Sequence, residues 1–331
     1  IGGYTTLKKV YSFEPVPSEL SGAEARFVLG AQGNVWTEFI ATPAHAEYMS
    51  VPRMSALSEV VWSPREARNW DDFRGRLEEH FKRLSCLGVS YARGSYRVDM
   101  QTFFDPEEGI LRVALGSEQV RPDIRYTLDG SEVTPASFQY EGPFSVRNRS
   151  MVTAGIFSDG RLRERAIARE VIPHAATGAK LRYRTPYSDK YVSTERALVD
   201  GMQGSLNHAD GYWQGYEAND MDVILDLGAP KQIRSVHVRF LKNLPARIHL
   251  PRKLEVAVSD DGEIFQLLPD VEVKAKDERG PVSIWEYVVP GAEDGASRYV
   301  RVRARSLRIV PVDNPGAGEP AWMFVDEVVV E

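Results

Sequence analysis

Trp36 and Glu38 are the pair whose types and spacing could act together on a ligand. They stand at the end of the run Arg26-Phe27-Val28-Leu29-Gly30-Ala31-Gln32-Gly33-Asn34-Val35-Trp36, with Thr37-Glu38 directly after it. Its apolar first part, ending in Gly and Asn, predicts one strand buried on both faces, as in a parallel sheet. Residues i and i+2 of a strand face the same way. Both side chains would then point beyond the strand's carboxyl end, where α/β barrels place their active sites. An indole stacks on the apolar face of a sugar ring, and a carboxylate beside it accepts hydrogen bonds from sugar hydroxyls. By spacing alone the same residues also read as a core indole and a solvated strand end.

Weaker candidates follow. Tyr212, Trp213 and Tyr216 cluster in a Gly-rich stretch. They read either as a sugar platform or as aromatic packing under a sheet, with Trp213 the better suited to a core. Arg301, Arg303 and Arg305 alternate along one strand, a pattern usual for a solvated face. The histidines show no metal-ligand spacing. Cys86, the only cysteine, sits between Leu84 and Leu87 and reads as a small core residue rather than a nucleophile. It excludes an internal disulfide and a cysteine-rich metal site.

The elements that must position these residues fall into three parts. Residues 1–98 are helical around the one buried strand. Met54, Leu57, Val60 and Val61 recur at helical spacing until Pro64. Phe73, Leu77, Phe81 and Leu84 form one apolar face of a second helix, with Asp71 or Asp72 as N-cap and Gly88 as terminator. One strand cannot make a sheet, so this part reads as the end of a larger α/β domain, with apolar faces left exposed when it stands alone. Residues 99–175 carry short strands with turns at Asp129-Gly130, Gly142-Pro143 and Ser158-Asp159-Gly160, which suits a small Ig-like β-sandwich. A polar linker spans His174 to Gly178. Residues 180–331 alternate again, ending on Phe324-Val325-Asp326-Glu327-Val328-Val329-Val330, as in a β-sandwich or jelly roll.

The composition is ordinary for a folded chain: of 331 residues, 41 are basic and 47 acidic, a net charge of −6. That argues against a chain built to hold nucleic acid. No apolar run reaches the ~20 residues of a membrane span. The chain opens Ile1-Gly2-Gly3-Tyr4 without a leader pattern, and we expect that polypeptide has been removed or omitted before it.

The segment from Leu29 to Glu38, followed by Glu47-Tyr48-Met49, Pro52-Arg53 and Ala56-Leu57-Ser58-Glu59-Val60-Val61-Trp62-Ser63, resembles the closing section of glycoside hydrolase family 20, the β-N-acetylhexosaminidases. Tyr11-Ser12-Phe13-Glu14-Pro15-Val16-Pro17 resembles the approach to it. Residues 124–144 are similar to the small sandwich that follows many bacterial hexosaminidase barrels. Leu198-Val199-Asp200-Gly201, Asp226-Leu227-Gly228 and Ser259-Asp260-Asp261-Gly262 resemble a discoidin-type (coagulation factor 5/8 C) module. The implied fold is a multidomain α/β plus all-β chain: the C-terminal fragment of a (β/α)8 barrel, then a small β-sandwich, then a discoidin-like β-sandwich.

The resemblance implies an exo-acting, retaining hydrolase of terminal N-acetylglucosamine or N-acetylgalactosamine, without a required cofactor. Trp36 would line the pocket for the terminal amino sugar, and Glu38 would hold its hydroxyls. The substrate's acetamido oxygen is the nucleophile in this family, an exception to the two-carboxylate pattern. An Asp-Glu pair on an earlier strand supplies the proton, and no such pair precedes Trp36 here. The chain alone is therefore expected to be inactive, its partners being a glycan and the missing N-terminal part of a periplasmic, extracellular or cell-surface parent. Discoidin-like modules often bind Ca²⁺ where an early Asp-Gly loop meets the last strand's Glu, which here implies Asp200 and Glu327. By their spacing alone, a capped turn and a surface carboxylate are the favoured reading of these residues. The competing reading is a non-catalytic carbohydrate-binding or surface-attachment protein built from the two β-modules.

Overall fold

A computed structural model describes residues 5–92, 97–191, 194–271, 273, 280–291 and 295–331. It is mostly β. Among the described residues, no helix is long and apolar enough to cross a membrane.

The helices come first: α1 (Leu7–Tyr11), α2 (Gly22–Ala25), α3 (Pro43–Ser50), α4 (Arg53–Trp62) and α5 (Trp70–Cys86). Helix α5 buries Phe73, Leu77, Phe81 and Leu84, the face expected from their spacing, against Leu7, Tyr11, Val51 and Ala56. Its N-cap is Asn69 rather than Asp71 or Asp72. The Asn69 amide oxygen accepts both of their backbone N–H groups, and the two acids sit in the first turn, where the helix dipole favours them. Its C-terminus closes at Gly88 (φ +68), with Val89 N–H bonded to Leu84 O and Gly88 N–H to Ser85 O. Cys86 is exposed, not in the core. It lies two residues beyond Leu84, about 200° around the helix from the apolar face.

The expected strand at 26–36 does not form. Residues 29–39 are exposed and outside any strand. Ladder hydrogen bonds need a neighbouring strand, and none of the described strands pairs with this segment. Phe27, Leu29 and Phe39 are 71%, 97% and 90% exposed.

Two stacked arrangements of sheets follow. In the first, β1 (Asp99–Asp105), β2 (Ile110–Gly116) and β5 (Phe144–Val146) form one sheet. The other holds β3 (Asp123–Thr127), β4 (Phe138–Gln139), β6 (Ser150–Ser158), β7 (Arg161–Leu162) and β8 (Ile167–Val171). Leu111, Val113 and Leu115 of β2 meet Ile124, Val152, Ala154 and Ile156 in its core. The β6–β7 hairpin turns on Asp159 and Gly160, both at positive φ, the conformation a two-residue hairpin loop needs.

In the second sandwich, β10 (Gln214–Glu217), β17 (Trp322–Val330), β12 (Ser235–Lys242) and β15 (Ser283–Pro290) are neighbours in that order. They face β14 (Gln266–Leu267), β13 (Lys253–Ser259), β16 (Ala296–Arg305), β11 (Met221–Gln232) and β9 (Lys180–Tyr183). The inward residues of both sheets, among them Val223, Leu225, Phe240, Val256, Val302 and Val325, are buried together. The arginines of β16 are not a free solvated face. Arg301 binds Asp222 through two bonds of 2.9 and 2.6 Å, and Arg305 reaches Asp220 at 3.2 Å. Arg303 lies 3.6 Å from Glu255. Acids on β11 and β13 thus flank the basic strand on both sides.

The pairing of β12 with β17 breaks between Val238 and Phe240, whose partners are Val328 and Val325. Asp326 and Glu327 together oppose Arg239, a β-bulge. Val325 and Val328 both remain in the core, and Asp326 turns to Arg239. Asp326 is fully buried and accepts from Arg239 Nη1 at 2.8 Å.

Two stability changes follow. Replacing Gly88 by Ala puts a Cβ on a left-handed residue and should cost about 1–2 kcal/mol. Arg239→Ala leaves the Asp326 carboxylate buried without its cation and should cost about 3–5 kcal/mol. Urea unfolding of the full chain, followed by far-UV circular dichroism, measures both. An Arg239→Ala loss no larger than the Gly88→Ala loss would refute the ion pair's role.

Candidate functional site

The helical part is braced by one half-buried carboxylate. Glu59 on α4 accepts from the Tyr11 hydroxyl at 2.7 Å and from Arg76 on α5 at 2.8 and 2.9 Å. Burial and the Glu59 carboxylate push the Tyr11 hydroxyl up to about 12. Arg53 closes the other end of α4 by donating to the Thr5 and Met49 carbonyls. A cleft of about 720 Å³ opens between α4 and α5, lined by Glu59, Trp62, Phe73, Arg76 and His80 among others.

Trp36 and Glu38 do not line that cleft. Trp36 is 63% exposed, and Glu38 stands in an exposed turn closed by Ile40 N–H on Thr37 O. Their segment lies over α4 at Gly33, where an added Cβ would meet Leu57 at 3.4 Å. Both side chains are thus solvent-facing, and no described wall closes around them.

The Tyr212, Trp213 and Tyr216 group does not form a platform. Trp213 and Tyr216 are each 0% exposed, so neither presents a ring face to a glycan. Trp213 packs with Leu241, Ile248, Trp322 and Phe324, and its indole N–H donates to Ser205 O. Tyr216 lies in the main core of the second sandwich. Tyr212 is half-buried, with the Arg169 guanidinium 5.1 Å over its ring and its hydroxyl bonded to Met100 O. Between them Arg169, Tyr212, Thr102, Asp200 and Asp210 line a cavity of about 310 Å³ at the seam of the two sandwiches. Burying large aromatics outweighs leaving them at a surface, and the sheet covers all but Tyr212.

Asp200 and Glu327, 127 residues apart in sequence, are brought together. The Asp200–Gly204 loop docks on the bulge of β17. Gly201 N–H donates to Glu327 Oε1 at 3.0 Å, and Gly204 N–H to Asp326 Oδ2 at 2.9 Å. Gly201 sits at φ +77, and a Cβ there would fall 2.6 Å from Leu111. Burial, then the Glu327 charge, holds Asp200 well above the usual carboxylate range, and burial does the same to Glu327. Burial pushes Asp326 up to about 7, with Arg239 pulling the other way.

His174 is the functional neighbour that the sequence did not reveal. It lies in the supposed polar linker, yet its ring is buried and its Nε2 is 2.7 Å from Glu327 Oε1. Burial, then Lys231, brings its pKa down to about 3. Asp326 beside Glu327 in an otherwise apolar strand was a readable sign of a bulge. Nothing in the sequence marked His174 or Arg239 as partners.

These carboxylates do not fit the implied calcium. A Ca²⁺ ion takes six to eight oxygen ligands, whereas N–H groups point at Glu327 Oε1, Asp326 Oδ2 and Asp200 Oδ1. Only Glu327 Oε2 of that carboxylate is buried without a partner. Among the described residues, no three His, Cys, Asp or Glu side chains are placed to hold a metal.

Comparison with known proteins agrees with the segment order. Residues 1–65 match the glycosyl hydrolase family 20 catalytic domain, and residues 108–167 match the chitobiase/beta-hexosaminidase C-terminal domain. A beta-hexosaminidase of Porphyromonas gingivalis is 32% identical over 165 residues, covering 47% of this chain and 21% of the relative. A beta-N-acetylhexosaminidase of Cellulomonas fimi is 35% identical over 78 residues, covering 24% of this chain and 16% of the relative. This chain thus spans about a fifth or less of these relatives. Among solved structures, a Clostridium perfringens module in complex with GlcNAc-α-1,4-galactose covers 48% of this chain and 94% of its own, at 11% identity and a TM-score of 0.31. The chain resembles the C-terminal portion of family 20 β-hexosaminidases: a short stretch of the catalytic domain followed by the accessory β-domain.

Proposed function

We propose that this chain is the C-terminal part of an exo-acting β-N-acetylhexosaminidase, and that residues 1–98 complete the enzyme's (β/α)8 barrel. The single observation that carries the reading is the tandem match, catalytic domain at 1–65 and hexosaminidase C-terminal domain at 108–167. The apolar surface supports it. Phe27, Leu29 and Phe39, in and beside the segment that forms no strand, stand 71%, 97% and 90% exposed, and Trp62 at the end of α4 stands 88% exposed. Barrel strands on either side would cover that surface and give residues 26–36 their ladder.

In the complete barrel, Trp36 and Glu38 form part of the wall for the terminal N-acetylhexosamine. The indole stacks on the ring and Glu38 accepts from its hydroxyls. The acetamido oxygen of the substrate attacks the anomeric carbon, and a carboxylic acid upstream protonates the leaving oxygen. That acid lies outside this chain, so the chain by itself cleaves nothing. We place residues 180–331 as a discoidin-like accessory module, and the parent in the periplasm or outside the cell.

Incubating the chain with a chromogenic N-acetylglucosaminide should give no turnover above background, and the parent enzyme should turn over. A general acid is worth typically 10²–10⁴-fold in rate, so enzyme-like rates from the chain alone would sink the reading. In the parent, Glu38→Gln removes a charged acceptor worth about 1.5–3 kcal/mol. It should lower kcat/KM by roughly 10–100-fold. A Glu38→Gln parent with unchanged kcat/KM would remove Glu38 from the pocket wall.

A further inference from the structure

We propose that His174, the Asp200–Gly204 loop and Glu327 form a cation-free latch that ties the last strand of the second sandwich to the first sandwich. The tautomer of His174 follows from its contacts. Nδ1 accepts from the backbone N–H of Ala176 and of Val330, each at 3.3 Å. The ring hydrogen therefore sits on Nε2, which donates to Glu327 Oε1. That oxygen receives a second hydrogen from Gly201 N–H. Met202 N–H caps Asp200 Oδ1 at 2.9 Å.

The loop's own carbonyls carry hydrogen bonds across the seam. Asp200 O accepts from Thr102 Oγ1 at 2.7 Å, and Gly201 O accepts from Ile172 N–H at 2.9 Å. Thr102 lies on β1, and Ile172 directly follows β8, so both bonds cross the seam to the first sandwich. Met202, next in the loop, is 1% exposed and packs into that sandwich's core. One face of the loop thus binds the bulge of β17 and the other binds the first sandwich. Neutral donors meet Glu327 Oε1 twice, while Oε2 of the same carboxylate is buried without a partner.

The latch is tested on the full chain by calorimetry, independently of any glycosidase activity. Adding millimolar CaCl₂, or a chelator, should leave the melting temperature unchanged, and titration with CaCl₂ should release no binding heat. His174→Ala should lower the melting temperature by about 5–10 °C. His174→Gln, whose amide can still donate to Glu327, should recover part of that loss. Combining His174→Ala with Thr102→Val should cost less than the sum of the single changes, because both act on one loop. A calcium-induced rise in melting temperature overturns the proposal. So does a His174→Ala chain that melts like the original, a Gln variant as weak as the Ala variant, or strictly additive losses.

Discussion

A carboxylate removed from water must be met by donors or give up its charge. The bulge of β17 imposes that requirement twice in succession, at Asp326 and Glu327. Their donors come from three distant places: Arg239 across the sheet, the Gly201 and Gly204 amides, and His174 ahead of the second sandwich. Supplying donors to two buried acids thus gathers segments that local propensity would leave apart. The resulting loop position also sets the seam, through Thr102, Ile172 and Met202.

The helical part obeys the same rule on a smaller scale. Glu59 is met by Tyr11 and Arg76, which fixes α1 and α5 around α4. That brace holds a well-packed helical wedge beside a segment, residues 29–39, that stays open to solvent. A wedge with a buried core and an uncovered apolar flank has the form of a part built to complete something larger. The proposed barrel gives that flank a partner and gives Trp36 and Glu38 a pocket to share.

In the second sandwich and at its seam with the first, charges and aromatics are consumed internally. The arginine row of β16 is neutralised by Asp222, Asp220 and Glu255. Trp213 and Tyr216 serve cores, and Tyr212 holds the seam beneath Arg169. Residue types that suggest glycan or anion binding in a sequence are here spent on structure. The acids that suggest calcium are capped by amides and an imidazole.

Periodic burial was legible from the residues alone. The Phe73-Leu77-Phe81-Leu84 face, the stop at Gly88, the alternation of β2, β12, β13 and β16, and the hairpin at Asp159-Gly160 all follow from local spacing and backbone preference. The tandem order of family motifs was equally legible, because it is carried by short contiguous runs. Only the tertiary structure decided that residues 26–36 lack a ladder, that Cys86 faces out, that Trp213 and Tyr216 are interior, and that His174 meets Glu327. Each of these depends on what another, distant segment supplies: a neighbouring strand, a covering sheet, or a donor for a buried oxygen. Local sequence sets which way a side chain can point, and only the folded chain sets what it finds there.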